Sequence, residues 1–184
     1  MRTSLPRLSP ILMLALLAPT LSCGTDTNET SGTPKQPGGA AGKAPTVLGV
    51  YRPAQSIFYL RNSNAAGPPD LTVQLGAAGD IPVSGDWDGD GKWSVGVYRP
   101  AQSVFYLRNS NAAGPPDLTV QLGAAGDVPL SGDWDGDGRW SVGVYRPAQS
   151  IFYLRNSNTA GEPDLTLPFG AKGDLPVVGG WAQR

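Results

Sequence analysis

Histidine is absent from the 184-residue sequence, and cysteine occurs once. The lack of histidine excludes a Ser-His-Asp or Cys-His nucleophile, a zinc site with histidine ligands, and acid–base catalysis by imidazole. One cysteine can form neither an intramolecular disulfide nor a thiolate metal cluster. An excess of basic charge is also lacking, because the formal net charge is −1. Without a clustered basic surface, we expect no nucleic-acid partner.

A long hydrophobic run is missing too, since the apolar stretch that begins at Ile11 covers only about a dozen residues. This length is too short for the ~30 Å hydrocarbon core of a bilayer but is typical of a secretory signal peptide. The stretch leads into Thr20-Leu-Ser-Cys23, which resembles the lipobox of bacterial lipoproteins, although that family prefers Leu where Thr20 stands. The resemblance implies that Cys23 is lipidated. We therefore expect residues 1–22 to be a signal peptide and the exported protein to be lipid-anchored in the cell envelope, at the outer membrane or the cell surface.

Residues 23–43 are expected to form a flexible tether behind the anchor. From residue 24 onward this segment contains no aromatic residue and no Val, Ile or Leu. Such a segment cannot bury enough apolar surface to offset the entropy lost on ordering. An ordinary secretory signal with an incidental cysteine is the alternative to a lipid anchor. Both interpretations predict export.

The rest of the sequence, residues 44–184, consists of three repeats with a period of 47 residues. Residues 51–97 and 98–144 differ at only four positions, all conservatively, while the third copy has diverged further. Most of the 25 glycines and 18 prolines recur in register with the repeat, so they indicate turns between short strands rather than disorder. Repeats of this length are typical of propeller blades, solenoids and other arrays.

Each repeat contains four segments with β-strand character. The second such set is Ser94–Tyr98, Val104–Arg108, Leu118–Leu122 and Val128–Trp134. The first two segments are rich in β-branched and aromatic residues, the third alternates apolar and polar residues, and the proline in the fourth favours an edge strand. No stretch has useful helical periodicity. We therefore predict an all-β domain of three four-stranded, blade-like repeats.

Three blades are fewer than the four to eight of a usual β-propeller. We therefore expect either an open, partial propeller or a propeller that several chains complete. A β-trefoil, which also has three four-stranded units, is the alternative fold. Because an open array exposes sheet edges, a homo-oligomer or a bound partner is the physical expectation.

The sequence Asp-Trp-Asp-Gly-Asp-Gly occurs twice, each time between the fourth strand of one repeat and the first strand of the next. Acids at loop positions one, three and five, with glycine at six and a main-chain carbonyl at seven, suit a hard cation such as Ca²⁺. Without a cation, three carboxylates this close would repel one another. The expected ligands are Asp86, Asp88, Asp90 and the Lys92 carbonyl in the first loop, and Asp133, Asp135, Asp137 and the Arg139 carbonyl in the second. Acidic hairpin turns without a metal are the alternative, since Asp-Gly is a common turn pair.

The Asp loop, with Gly-Val-Tyr-Arg-Pro and Phe-Tyr-Leu in each blade, resembles the FG-GAP and VCBS-type repeats of bacterial exported proteins. Related loops bind calcium in the propeller of integrin α-chains. The resemblance spans residues 44–184 and implies a β-propeller with one calcium ion in each competent loop. The family often has a further acid at position nine, where this sequence has Ser94 and Ser141, and we include both serines among the expected ligands. The third copy has no acid at the corresponding positions, so we expect no third site.

Two arginines also recur in every copy, as Arg99 and Arg108 in the second one. We expect each to pair with a repeated aspartate such as Asp117 or to stack on an aromatic ring. A ring of identical sites for a glycan or a protein is the alternative.

The sequence therefore predicts a calcium-binding β-repeat module that binds a glycan or a protein ligand outside the cytoplasm, in adhesion or a similar role. A structural protein whose repeats mediate self-assembly is the alternative. We do not expect an enzyme, because near-identical repeats offer no unique constellation of catalytic groups.

Overall fold

The computed structural model describes residues 45–181. The predicted signal peptide, Cys23 and the tether lie outside the described residues. Within them the backbone forms strands and turns but no helix, which confirms the all-β prediction. Accordingly, the described range has no helical segment long and apolar enough to cross a membrane.

Eleven strands form three antiparallel sheets. The first sheet contains β1 (Gly49–Arg52), β2 (Ile57–Leu60) and β3 (Leu71–Gln74). The second contains β4 (Ile81–Gly85), β5 (Ser94–Arg99), β6 (Val104–Leu107) and β7 (Leu118–Gln121). The third contains β8 (Val128–Gly132), β9 (Ser141–Arg146), β10 (Ile151–Leu154) and β11 (Leu165–Pro168). Every strand pairs only with its neighbours in sequence, so each sheet is a meander, and the three sheets do not close on one another.

The sheets are shifted relative to the sequence repeats. β4 ends one repeat and pairs with β5, which begins the next, with Ile81 opposite Tyr98 and Gly85 opposite Ser94. β8 pairs with β9 in the same way. Each Asp loop is therefore the hairpin connection inside a sheet, and its two ends are fixed by strand pairing.

β4 and β8 are edge strands of their sheets, as their prolines predicted. A proline lacks the N–H that an inner strand would need for pairing on both sides. The third copy differs, because its fourth segment, residues 175–179, is not a strand. The prediction of four strands per repeat is wrong there, since this segment has no β5-like strand to pair with among the described residues.

The core lies between successive sheets. One buried cluster contains Phe58, Val73 and Leu75 of the first sheet region with Val95 and Val97 of the second. A second cluster contains Phe105, Val120 and Leu122 of the second sheet region with Val142 and Val144 of the third. The first five residues of β5 and of β9, which are inner strands of their sheets, are all buried. Burial of each large apolar side chain in these clusters stabilises the folded state by roughly 1.5–3 kcal/mol.

Candidate metal centre

Each Asp loop brings its three carboxylates together. One oxygen each from Asp86, Asp88 and Asp90 lies within 4.8 Å of the other two, and the second loop has the same arrangement in Asp133, Asp135 and Asp137. Ca²⁺ takes six to eight oxygen ligands at about 2.3–2.6 Å, so two ligands of one ion are at most about 5 Å apart. The donor atoms and their spacing therefore fit a calcium ion in both loops.

The first aspartate of each loop also holds the backbone of the loop. The buried Asp86 carboxylate accepts hydrogen bonds from the backbone N–H groups of Gly89, Asp90 and Gly91 at 2.9, 3.0 and 2.8 Å. Gly89 and Gly91 have φ values of 76° and 82°, a left-handed conformation that glycine adopts without steric cost. The tight turn thus needs the glycines as well as the anchoring carboxylate.

Asp133 anchors the second loop in the same manner. Its carboxylate accepts from the N–H groups of Gly136 at 2.8 Å and Gly138 at 3.1 Å. The remaining acids make shorter-range contacts, such as the Asp137 oxygen that accepts from the Arg139 N–H at 2.8 Å. Both loops are therefore ordered by their own side chains in the same conformation.

The residue at loop position seven distinguishes the two loops. In the first, the Lys92 ammonium donates to Asp90 at 2.9 Å, and this hydrogen bond lowers the pKa of Asp90 and raises the pKa of Lys92. In the second, the side chain of Arg139 lies against the first loop, so that a Cβ added at Gly89 would meet its Cγ at 2.8 Å. The first cluster already has one cation at its rim, and the second does not.

The two loops lie side by side at the same end of adjacent sheets. The N–H of Trp140 donates to the Asp86 carbonyl at 2.7 Å, and the rings of Trp93 and Trp140 are 4.3 Å apart. Nearby, the Ser131 hydroxyl of β8 donates to the Ser84 carbonyl of β4 at 2.9 Å. The two loops are therefore in direct contact.

The serines at position nine are engaged elsewhere. Ser94 and Ser141 are buried at the starts of β5 and β9, and the Ser94 hydroxyl donates to the Arg108 carbonyl at 2.5 Å. Ser141 donates to the Arg155 carbonyl in the same way. Their assignment as ligands stays a prediction, and their hydroxyl groups tie the starts of β5 and β9 to the residues that follow the neighbouring strands β6 and β10. The Lys92 and Arg139 carbonyls also remain predicted ligands.

All the recurring arginines except Arg52 form ion pairs within the described residues, as the sequence indicated, but not all of them with the predicted aspartate. Arg108 lies 3.7 Å from the predicted Asp117, whereas Arg99 pairs with Asp80 at 2.8 Å and stacks on the Tyr106 ring at 4.7 Å. Asp80 is not among the predicted partners, although its spacing of 19 residues from Arg99 recurs between Asp127 and Arg146. These contacts give the arginines a structural role in each sheet.

The described chain is thus an all-β repeat protein with three meander sheets and two acidic hairpin loops. No protein-family model, curated protein or solved structure matches the chain.

Proposed function

We propose that the protein is an exported, lipid-anchored, calcium-binding β-repeat module that binds a glycan or a protein outside the cytoplasm. The observation that carries this proposal is the pair of acidic loops, which have the same geometry and lie side by side in adjacent sheets. A bound ion would offset the repulsion within each carboxylate cluster and hold the sheet ends together. The role of calcium in this proposal is structural.

The arrangement of the strands supports a propeller of the FG-GAP and VCBS type as the fold. Each complete sheet has four strands in sequence order, as a propeller blade does. Strand pairing is confined to single sheets within the described range, whereas a barrel-like fold such as the β-trefoil would join its units by pairing. We therefore favour a propeller over a trefoil.

Calcium titration of the purified chain tests the metal proposal. We expect two ions per chain by calorimetry, and we expect Asp88→Asn with Asp90→Asn to remove one of them. The substitution Asp135→Asn with Asp137→Asn should remove the other. These variants retain Asp86 and Asp133, which anchor the loops. The exposed Glu162 lies outside both clusters, so Glu162→Gln is the control; unchanged binding in the loop variants would refute the sites.

A glycan array and a screen against extracellular proteins, each in calcium and in chelator, test the binding role. Binding that requires calcium supports a ligand-binding module. If no ligand binds and the chain associates with itself, the alternative function of self-assembly is favoured. That alternative is supported by exposed apolar side chains at both ends of the described array, such as Leu48 and Phe169.

A further inference from the structure

The outer edge of β1 lacks the partner that its equivalents have. β5 and β9 pair with β4 and β8, but β1 has no strand on that side among the described residues. The Leu48 carbonyl accepts from the Arg61 N–H on the β2 side, so the alternation of antiparallel pairing turns the N–H and C=O of Gly49 and Tyr51 outward. The edge is therefore open for pairing.

Residues 175–179 are the counterpart of that edge. Their sequence, Leu-Pro-Val-Val-Gly, closely matches Ile-Pro-Val-Ser-Gly in β4 and Val-Pro-Leu-Ser-Gly in β8. β4 and β8 pair with β5 and β9, which contain the same Gly-Val-Tyr-Arg sequence as β1. Residues 175–179 have no such pairing in the described structure, and Leu175 is 83% exposed. A strand sequence and its matching partner are thus both unpaired.

The apolar faces beside these segments match as well. In each of the two buried clusters, three apolar residues of one sheet region pack against two valines of the next sheet. The three residues occupy the repeat positions of Phe152, Leu167 and Phe169 in the third copy. The two valines occupy the repeat positions of Leu48 and Val50 in the first. At the ends of the array these side chains are uncovered: Leu48 is 67%, Val50 63% and Phe169 76% exposed. The face at one end has the residues that cover the face at the other.

The charged residues at the two ends of the array also match. Asp80 pairs with Arg99, and Asp127 pairs with Arg146, at a spacing of 19 residues. Asp174 keeps the turn of its equivalents, since its carboxylate accepts from the Ala171 N–H at 2.8 Å, but it pairs with no described arginine. Arg52 has no described acidic partner; it donates to Gln55 and Tyr59 at 2.9 and 3.1 Å.

We propose that residues 174–179 of one copy of this chain add to the β1 edge of a second copy, and that two copies close head to tail into a ring of six sheets. By the register of β4 on β5, Leu175 lies opposite Tyr51, Val177 opposite Gly49 and Val178 opposite Leu48 of the other copy. Asp174 then pairs with Arg52 of that copy.

The sequence one period before β4 does not match β4 or β8. The positions one period before β4 are Pro34-Lys-Gln-Pro-Gly38, and the position of Asp80 is taken by Thr33. This stretch lacks the Ile, Val or Leu residues that flank the proline in β4 and β8. A second copy carries the matching sequence, face and charge together.

The closure with two copies follows from the number of sheets. A head-to-tail interface forms a ring when its rotation closes and an open filament when it does not. Propellers usually have about four to eight blades, and six is the multiple of three in that range. The ring size rests on the propeller arrangement proposed above, whereas the strand addition does not.

Cysteine cross-linking tests the register directly. In a full chain carrying Cys23→Ser, Leu48→Cys and Val178→Cys would face each other as a non-hydrogen-bonded pair. The Cα atoms of such a pair are about 4.5 Å apart, which a disulfide can bridge. Val50→Cys with Val178→Cys is the control, because diagonal neighbours lie roughly 7–8 Å apart, and Val50 is as exposed as Leu48.

We expect the Leu48/Val178 pair to form a covalent dimer on oxidation and the control pair to remain at least tenfold less cross-linked. An internally linked monomer would refute pairing between copies, and a ladder of longer species would refute closure with two. Equal cross-linking of the control would refute the register. The reaction is run in calcium and in chelator, so that a failed calcium site is distinguished from a failed interface.

A charge exchange gives a second test that leaves the core intact. We expect Asp174→Arg and Arg52→Asp each to weaken the dimer at least tenfold by analytical ultracentrifugation, and the combined exchange to restore most of it. Glu162→Arg makes the same change in charge at another exposed acid and should leave the mass unchanged. A monomeric native chain, or single variants as dimeric as the native chain, would overturn the proposal.

Discussion

Arg99 and Asp80 form a two-bond ion pair that ties β5 to the turn before β4. The Arg99 Nε and Nη2 donate to the two carboxylate oxygens at 2.9 and 2.8 Å. The Asp80 side chain is only 1% exposed, and its hydrogen bond raises the pKa of Arg99. Such a planar, paired geometry suits arginine and not lysine.

We predict that Arg99→Ala lowers the free energy of unfolding by about 3 kcal/mol, because it leaves the buried Asp80 carboxylate without its partner. Arg99→Lys should lie between this variant and the native chain, since it keeps the charge but loses the second hydrogen bond. Urea unfolding at pH 7 measures both. Lys172→Ala, at an exposed site, is the control, and equal stability of Arg99→Ala and the control would contradict the prediction.

The acids within a metal loop should separate into two kinds on substitution. Asp86→Ala removes the acceptor of three backbone hydrogen bonds, and we expect a loss of about 2 kcal/mol with or without calcium. Asp88→Ala should matter only when calcium is present, because a ligand stabilises the native state by about 2.7 kcal/mol at one hundred times its Kd. Thermal unfolding in calcium and in chelator distinguishes the two. An equal loss for both variants in chelator would show that Asp86 is no special anchor.

Phe105 and Phe152, which occupy the same position of the repeat, should contribute unequally to the free energy of unfolding of a monomeric chain. Phe105 is fully buried between two sheets, so Phe105→Ala is expected to cost about 3–5 kcal/mol. Phe152, at the same position in the third sheet, is only half-buried, and we expect Phe152→Ala to cost less than half as much. Denaturant unfolding at a protein concentration where the chain is monomeric measures the difference. Identical losses there would contradict the packing described.

Acid should weaken the turn that Asp164 closes. The N–H of Asn156 donates to its carboxylate at 2.7 Å, and this hydrogen bond, with Arg155 nearby, lowers the pKa of Asp164. The unfolded chain then binds more protons in the interval below the ordinary pKa of about 3.9. The contribution is complete above that value and is lost as the pH falls through the lower folded-state pKa.

We therefore expect Asp164→Asn to have a flatter dependence of unfolding free energy on pH between about 2 and 5 than the native chain. Urea unfolding across this interval gives the slopes. Glu162→Gln is the control from the same turn. If the unfolding free energy of Asp164→Asn depended on pH as steeply as that of the native chain, the Asp164 carboxylate would not contribute to the pH dependence of stability.

The strands of the second sheet were predictable from sequence because their signals are local. Val104–Arg108 is dense in β-branched and aromatic residues, and the structure has a strand at Val104–Leu107. The proline of β8 likewise predicted an edge. By contrast, residues 175–179 have the same local signals as β4 and form no strand. Strand formation there depends on a distant partner, which local sequence does not reveal.

The site shows the same division. The spacing of Asp86, Asp88 and Asp90 predicted a carboxylate cluster, and the structure brings these residues together. The sequence could not predict that the Ser94 hydroxyl donates to the Arg108 carbonyl, because that contact depends on pairing between β5 and β6. Nor could the sequence choose between Asp80 and Asp117 as partners of Arg99, since both recur with the same period.

The shift between sheets and repeats has a consequence for how the array changes length. Because the second and third sheets each span the junction of two copies, removal of any 47 consecutive residues that begin between 81 and 98 joins equivalent positions of the repeat. The shortened chain keeps its hairpins, its register and the order of its strands, and loses one sheet. Insertion of a copy adds one sheet by the same logic. Whole-unit duplication or loss with a break in this range thus changes the number of sheets per chain while every strand keeps an equivalent partner within its own sheet.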